Sequence, residues 1–368
     1  MKAVGVAIVG GGAVGAACAR AAALRGLEVA IFEPGPDPAA ASPASAGMLA
    51  AQIEPADDVL VALSVRARDS YEQLAPALRE TTGIDIGFWR SGIAVVAFDE
   101  AAANRLKEEV ARQRQAGLRC DWLDGEEVRE RWPGAAPDCQ GALLAPEDGA
   151  LDPLALTRAC LADARRLGAT LYAEKVEALA IAQGRVTGVV TARGTTPVEH
   201  AVLAAGVWSP QIHGLPRPLP VEPLRGQMAA TAWPDDCPPA ILYHDHGYVL
   251  ARGSDAVLGS TIERAGYDAR VTNEGLAQIF RGAVRLLPAL MTQPVQRMWA
   301  GLRPATPDGQ PILGRDPEVE RLWYATGHGR NGILLAALTG EITADLLTSG
   351  ISDVDIAPLS IDRFKTGN

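Results

Sequence analysis

Few side chains in this sequence demand a chemical role by their type and setting, and Arg303 is foremost among them. It lies in GLRPATPDGQPILG (301–314), surrounded by glycines, prolines and apolar residues. The stretch reads as a tight, half-buried loop, where an unpaired guanidinium is costly. A planar guanidinium matches a carboxylate through two parallel hydrogen bonds, so the segment predicts an anionic partner. The alternative is a structural ion pair with the nearby Asp308. A second candidate is GHGRNGILLA (327–336), where Gly327, Gly329 and Gly332 let the backbone pass close to a ligand. The helix expected from about Asn331 would point its positive end at that ligand. His244, Asp245 and His246 form the one metal-like cluster. Alternation would put both histidines on one face of a strand, but without a third ligand no metal site is expected there, only a channel-lining or solvated hairpin.

The N-terminal segment supplies a binding frame. Val4 to Val9 is a buried-strand run, GGGAVG follows, and an alanine-rich helix extends to about Arg25. A second strand, GLEVAIFE, ends at Glu33. Gly10, Gly12 and Gly15 satisfy the G-x-G-x-x-G pattern: the first permits the turn, the second admits a pyrophosphate, and the third lets helix pack on strand. Ala13 and Val14 open the helix whose free N–H groups face the phosphates. Glu33 can accept from both ribose hydroxyls and would repel a 2′-phosphate, which argues against NADP. The strand, helix, second strand and terminal acid together indicate dinucleotide binding rather than a bare glycine-rich turn. They do not separate NAD from FAD.

After Glu33 the chain runs PGPDPAAASPASAGMLAAQIEP (34–55). Small residues over such a length suit a backbone laid along an extended ligand, and Met48, Leu49 and Ile53 make it too apolar for a good flexible linker. With Ser42-Pro43-Ala44-Ser45-Ala46-Gly47-Met48-Leu49 the sequence resembles the FAD-dependent D-amino-acid oxidase-like family, and within it the thiamine-biosynthesis type of glycine oxidases. There a S/T-x-A-A-A-G-M-L segment wraps the FAD pyrophosphate and flavin. The segments 141–179, 198–212 and the C-terminal pair GLRPATPDGQPILG and TGHGRNGILLAALTGEITADLL agree with the same family, so the resemblance covers nearly the whole chain.

The resemblance implies FAD held by Gly10, Gly12, Ala13, Val14, Gly15, Glu33, Pro34, Ser42, Ala46, Gly47, Met48, Val176, Gly206 and Gly301, and by His328, Gly329, Asn331, Gly332, Ile333 and Leu334. No cysteine follows Cys237, where family members with a flavin thioether carry one, so attachment is expected to be non-covalent. Arg303 would grip a substrate α-carboxylate. Tyr248 would donate to it, although Ala251 replaces the usual proline, Tyr243 and Tyr267 lie nearby, and sheet packing is the alternative role. Arg330 would lean into the pocket, and Gly329 stands where relatives often carry an aromatic. The implied reaction is oxidative deamination of glycine or a similar small amino acid or N-methyl amine. Hydride passes from Cα to flavin N5, and dioxygen reoxidises the flavin, giving peroxide, an oxo acid and ammonia or amine. The imine could instead feed thiazole synthesis. The alternatives are a D-amino-acid dehydrogenase serving a quinone or partner subunit, and a sarcosine or other amine oxidase.

The implied fold class is α/β: an FAD-binding Rossmann-like domain of the glutathione-reductase type with an inserted mixed or antiparallel-sheet substrate domain. Segments 1–83, 141–213 and 301–368 are assigned to the FAD domain, and 84–140 and 214–300 to the substrate domain. The whole chain has 368 residues, enough for two such domains, and a formal charge of −10, which argues against a nucleic-acid partner. Five scattered cysteines without CxxC spacing suit a reducing compartment, so the cytoplasm is expected. The N-terminal run superficially resembles a signal peptide, but the strand–turn–helix reading accounts for more of it. No uninterrupted apolar run of membrane-spanning length was found. Relatives occur as dimers or tetramers, which leaves a homo-oligomer open.

Overall fold

The structure is a computed structural model that describes residues 3–35, 37, 39–54, 58–245 and 247–364. Its first sheet grows from the N-terminal glycine unit. Val4–Val9 pairs in parallel with Val29–Phe32 on one side and with Gly194–Leu203 on the other. Thr170–Tyr172 and Leu322–Thr326 extend it in parallel, Ile312–Arg315 closes one edge antiparallel, and Val176–Ala182 and Arg185–Thr191 branch from Gly194–Leu203. Alternation along Val4–Val9 divides its side chains between two cores. Val6 and Ile8 face a helical layer, and Ala7 and Val9 face the branch strands.

The helical layer is built on alanine and glycine. Helix Ala13–Leu24 has nine buried residues, all small, so helix Gly332–Ser349 can approach it closely. At Gly340 a Cβ would stand 2.6 Å from the carbonyl oxygen of Ala17. Gly332–Ser349 is long and apolar enough by length and composition to span a bilayer, contrary to the sequence expectation, and its apolar residues are covered by Ala13–Leu24 and by helix Asp58–Thr82. All five cysteines are free thiols.

The second sheet has eight strands, in the order Val295–Ala305, Glu222–Ala232, Asp255–Gly259, Gly247–Arg252, Ile241–His244, Ile93–Ala97, Gly141–Ala145 and Asp121–Asp124. The pairing is antiparallel except where Ile241–His244 meets Ile93–Ala97. Helix Glu100–Gln115 lies against it with its charges outward, and Asp99 caps the helix by accepting from the Ala102 N–H at 2.8 Å.

Several sequence expectations meet the structure here. Arg303 sits in the eleven-residue strand Val295–Ala305, not in a loop, because its backbone is paired along Glu222–Ala232. Of the expected His–Asp–His strand face, only His244 lies in a strand among the described residues. The strand ends at His244, Asp245 is an exposed turn residue, and His246 lies outside the described residues. His244 is buried with Nε2 3.2 Å from the Gly282 carbonyl, not lining a channel, and no group of metal-binding side chains occurs among the described residues. The expected boundaries at 141 and 301 fall at the start of Gly141–Ala145 and inside Val295–Ala305, both strands of the second sheet.

Gly340→Val is expected to destabilise the protein by about 2 kcal/mol, by overpacking a closed helix contact. Chemical denaturation measures this. Because the displaced helix carries the nucleotide turn, flavin retention should fall in parallel.

Candidate active site

A cavity of about 850 Å³ runs from the N-terminal glycine turn to the second sheet. That is near the upper end of the few-hundred to roughly 1,000 Å³ usual for ligand and cofactor sites. At one end Gly10 adopts φ +105°, and a Cβ there would meet the Ala204 carbonyl oxygen at 2.6 Å. Gly15 does not line the cavity; a Cβ on it would lie 1.9 Å from the Gly10 oxygen, so its role is helix-to-strand packing. Gly12 caps helix Ala13–Leu24 without a side chain, and the first turn holds no acidic residue. An anion is therefore unopposed at this helix start. Ser42 Oγ accepts from the Ala13 N–H at 3.0 Å and brings the following segment onto it. Glu33 accepts from the Gly11 N–H at 2.6 Å through one carboxylate oxygen, which fixes its side chain beside the turn.

The small-residue segment is ordered because it is fastened to the second sheet. Leu302 N–H donates to Ala39 O at 2.9 Å, Trp299 Nε1 to Ala44 O at 3.0 Å, and the Arg252 guanidinium to Ala46 O. Gly301 makes this approach feasible, since a Cβ there would lie 2.3 Å from that of Ala44. Pro34, Ala46, Gly47, Met48, Val176 and Gly206 line the same cavity, as do Val14, His328, Gly329, Gly332 and Ile333. Asn331 and Leu334 do not: Asn331 N-caps helix Gly332–Ser349 and the Leu334 side chain enters the helical core. Burial pushes the His328 imidazole down to about 3, so it stays neutral, with Nε2 3.0 Å from Thr339 Oγ1. Gly329 has φ +54° and a Cβ there would meet nothing within 4 Å, so its lack of a side chain follows from the backbone turn and not from space.

At the far end Arg303 projects over Gly226, which belongs to the neighbouring strand. A Cβ on Gly226 would lie 2.2–2.4 Å from the guanidinium atoms. Arg303 donates to Thr261 O at 3.1 Å and to Ser260 Oγ at 2.8 Å. Among the described residues no carboxylate ion-pairs with it, and Asp308 instead pairs with Arg363 at 2.7 Å. Burial pushes the Arg303 guanidinium down from its ordinary value. Tyr248 is buried beside it, and burial pushes the phenol up to about 12. Its hydroxyl donates to Met228 Sδ at 3.1 Å, a weak acceptor that a carboxylate would readily replace. Tyr243 stacks on Tyr248 with ring centroids 6.1 Å apart. Tyr267 is engaged elsewhere, donating to Val207 O at 2.9 Å. Arg330 lines the cavity and donates to Glu54 Oε1 at 2.5 Å and Tyr243 Oη at 2.9 Å.

The full length of this geometry matches one known family. Residues 5–346 fit the model described as DAO: FAD dependent oxidoreductase. The chain belongs to this family. A bifunctional ThiO/ThiG protein of Trichormus variabilis is 35% identical over 98% of this chain, which spans only 55% of that relative's length. The crystal structure of glycine oxidase from Geobacillus kaustophilus superimposes with a TM-score of 0.92, at 34% identity and 99% coverage of both chains. Iminodiacetate oxidase from Chelativorans sp. gives a TM-score of 0.89 at 27% identity, covering 96% of this chain and 98% of its own. FAD is the cofactor of the DAO family, and the donor set fits it: a helix start with no acidic residue in its first turn for the pyrophosphate, Glu33 for ribose hydroxyls, and a long apolar-walled cavity.

Sequence reasoning missed Gly226, Ser260, Thr261, Met228 and Glu54 as site residues. Gly226 and Met228 were legible only as alternate positions of a strand, and nothing local ties any of the five to Arg303 or Arg330. Gly226→Ala is expected to displace the guanidinium and weaken binding of acetate about tenfold or more, with flavin content unchanged. Titration of the flavin absorbance with acetate measures it.

Proposed function

We propose that this chain oxidatively deaminates glycine or a similarly small amino acid or N-methyl amine, with dioxygen as the terminal oxidant. The observation that carries this reading is Arg303, a guanidinium set in the cavity wall with neutral acceptors and no carboxylate partner among the described residues. The likeness to glycine oxidase over the whole chain supports it. In this reading the first sheet holds the cofactor and the second presents the substrate. FAD bound in the cavity supplies a two-electron acceptor for the Cα hydride and returns the electrons to dioxygen. None of the cysteines lines the cavity, in keeping with non-covalent attachment.

The residues of the chain supply position and field. Arg303 offers its planar fork to the substrate carboxylate, and Tyr248 turns its hydroxyl from Met228 to the same group. Two fixed contacts on one carboxylate restrict rotation of the Cα–H, which is where orientation lowers a barrier. Tyr248 remains a donor across the working range because burial pushes its phenol up to about 12. His328 is neutral and bonded to Thr339, so it is no base for the substrate amine. Loss of the hydride and an amine proton leaves an imino acid, which water converts to an oxo acid and ammonia.

Arg303→Ala should leave the protein yellow while lowering kcat/KM for glycine by about a thousandfold. A peroxide-coupled assay in air measures this; unchanged apparent affinity for amino acids would remove the carboxylate role, and reduction by glycine without peroxide would indicate a different electron acceptor. The pH profile gives an independent check. kcat/KM should rise as the substrate ammonium loses its proton, with no limb near 6.5 from His328, whose folded value lies at about 3. Tyr248→Phe should lower the profile without moving that limb.

A further inference from the structure

Two arginines line the second-sheet end of the cavity, and among the described residues only Arg330 has a carboxylate partner. The backbone brings them together, since Gly329 N–H donates to Pro304 O at 2.8 Å and each of these residues adjoins one arginine. Arg303 has neutral acceptors only, whereas Arg330 is held by Glu54 at 2.5 Å. The Glu54 side chain is 9% exposed and that of Arg330 40%, so the acid is the more deeply set member of the pair.

Glu54 is also well anchored through its own turn. Gln52 N–H donates to Asp148 Oδ2 at 3.0 Å, and Arg68 Nη1 donates both to Gln52 Oε1 at 2.8 Å and to Asp148 Oδ1 at 3.0 Å. Arg68 and Asp148 are almost completely buried, and neither touches the cavity. The cluster therefore acts only by fixing the turn that ends in Glu54.

Resting on the reading of Arg303 as the carboxylate site, we propose that Glu54 is a specificity residue that occupies Arg330, leaves Arg303 as the single anion site at this end of the cavity, and so discriminates against substrates with a second acid group. A second carboxylate reaching Arg330 would have to displace a bound acid and would meet its like charge on the way. This is selection by a repulsive element as well as an attractive one. A monocarboxylate at Arg303 has no bound acid to displace, and it meets the Glu54 charge without having to take that acid's place.

The test uses two inert ethers of the same skeleton, methoxyacetate with one carboxylate and oxydiacetate with two. Each is titrated against the flavin absorbance of the purified holoprotein, of E54Q, and of the double variant E54Q/R330Q. Wild type should prefer methoxyacetate. E54Q should shift the ratio of the two Kd values towards oxydiacetate by about tenfold or more, and the double variant should abolish the shift. Should E54Q shed its flavin, R330Q alone is decisive: it leaves Glu54 unpaired and must deepen the discrimination. An unchanged ratio in E54Q with methoxyacetate binding intact, or a shift that survives loss of Arg330, overturns the proposal. If wild type binds neither ether, the Arg303 site itself is refuted and the inference falls with it.

Discussion

The site depends on one constraint: a guanidinium set in a cavity wall with no carboxylate partner among the described residues. Such a group is tolerable only if its donors are partly occupied by neutral oxygens and its remaining field can act on something that arrives. Thr261 O and Ser260 Oγ supply the neutral acceptors, and the glycine at 226 supplies the room. A carboxylate at that position would make a stable but closed ion pair, and a bulkier neighbour would turn the side chain away. The chemistry of the site thus begins with what has been left out around Arg303.

The same strand also organises the cofactor end. Val295–Ala305 carries Arg303, but it also holds Trp299 and Leu302, whose N–H groups fasten the segment around Ala39 to Ala44. That segment reaches back through Ser42 to the first turn of the nucleotide helix. One paired strand therefore sets the substrate anchor and the cofactor wrap together. Their relative positions follow from backbone hydrogen bonds, which have far fewer alternative geometries than side-chain contacts.

The nucleotide unit was fully legible in the sequence because its logic is local. Strand, glycine turn, helix and terminal acid follow each other within about forty residues, and Gly15 packs on Gly10 inside the unit. The setting of Arg303 was legible in chemistry but not in conformation. Its glycines and prolines read as a loop, whereas in an edge strand Pro304 is admissible and Gly301 allows the wrap to approach. Glu54 gave no signal, since its partner lies 276 residues away and nothing in its surroundings marks it. Alternation is evidence for a strand face only while the strand continues, and this one stops at His244.

The first sheet has a consequence for how the protein comes into being. Its central strand, Val4–Val9, is flanked by Gly194–Leu203, and the cavity wall is completed by residues as late as Ile333. Val4–Val9 is made well before Gly194–Leu203 and must wait for it before its apolar face is covered on both sides. Pairings so distant in sequence form slowly, and they leave unsatisfied strand edges exposed meanwhile. A small-residue helix, poor in large apolar side chains, is a mild thing to leave uncovered during that interval. The glycine–alanine composition that admits the dinucleotide in the finished protein also keeps the waiting nascent segment less adhesive.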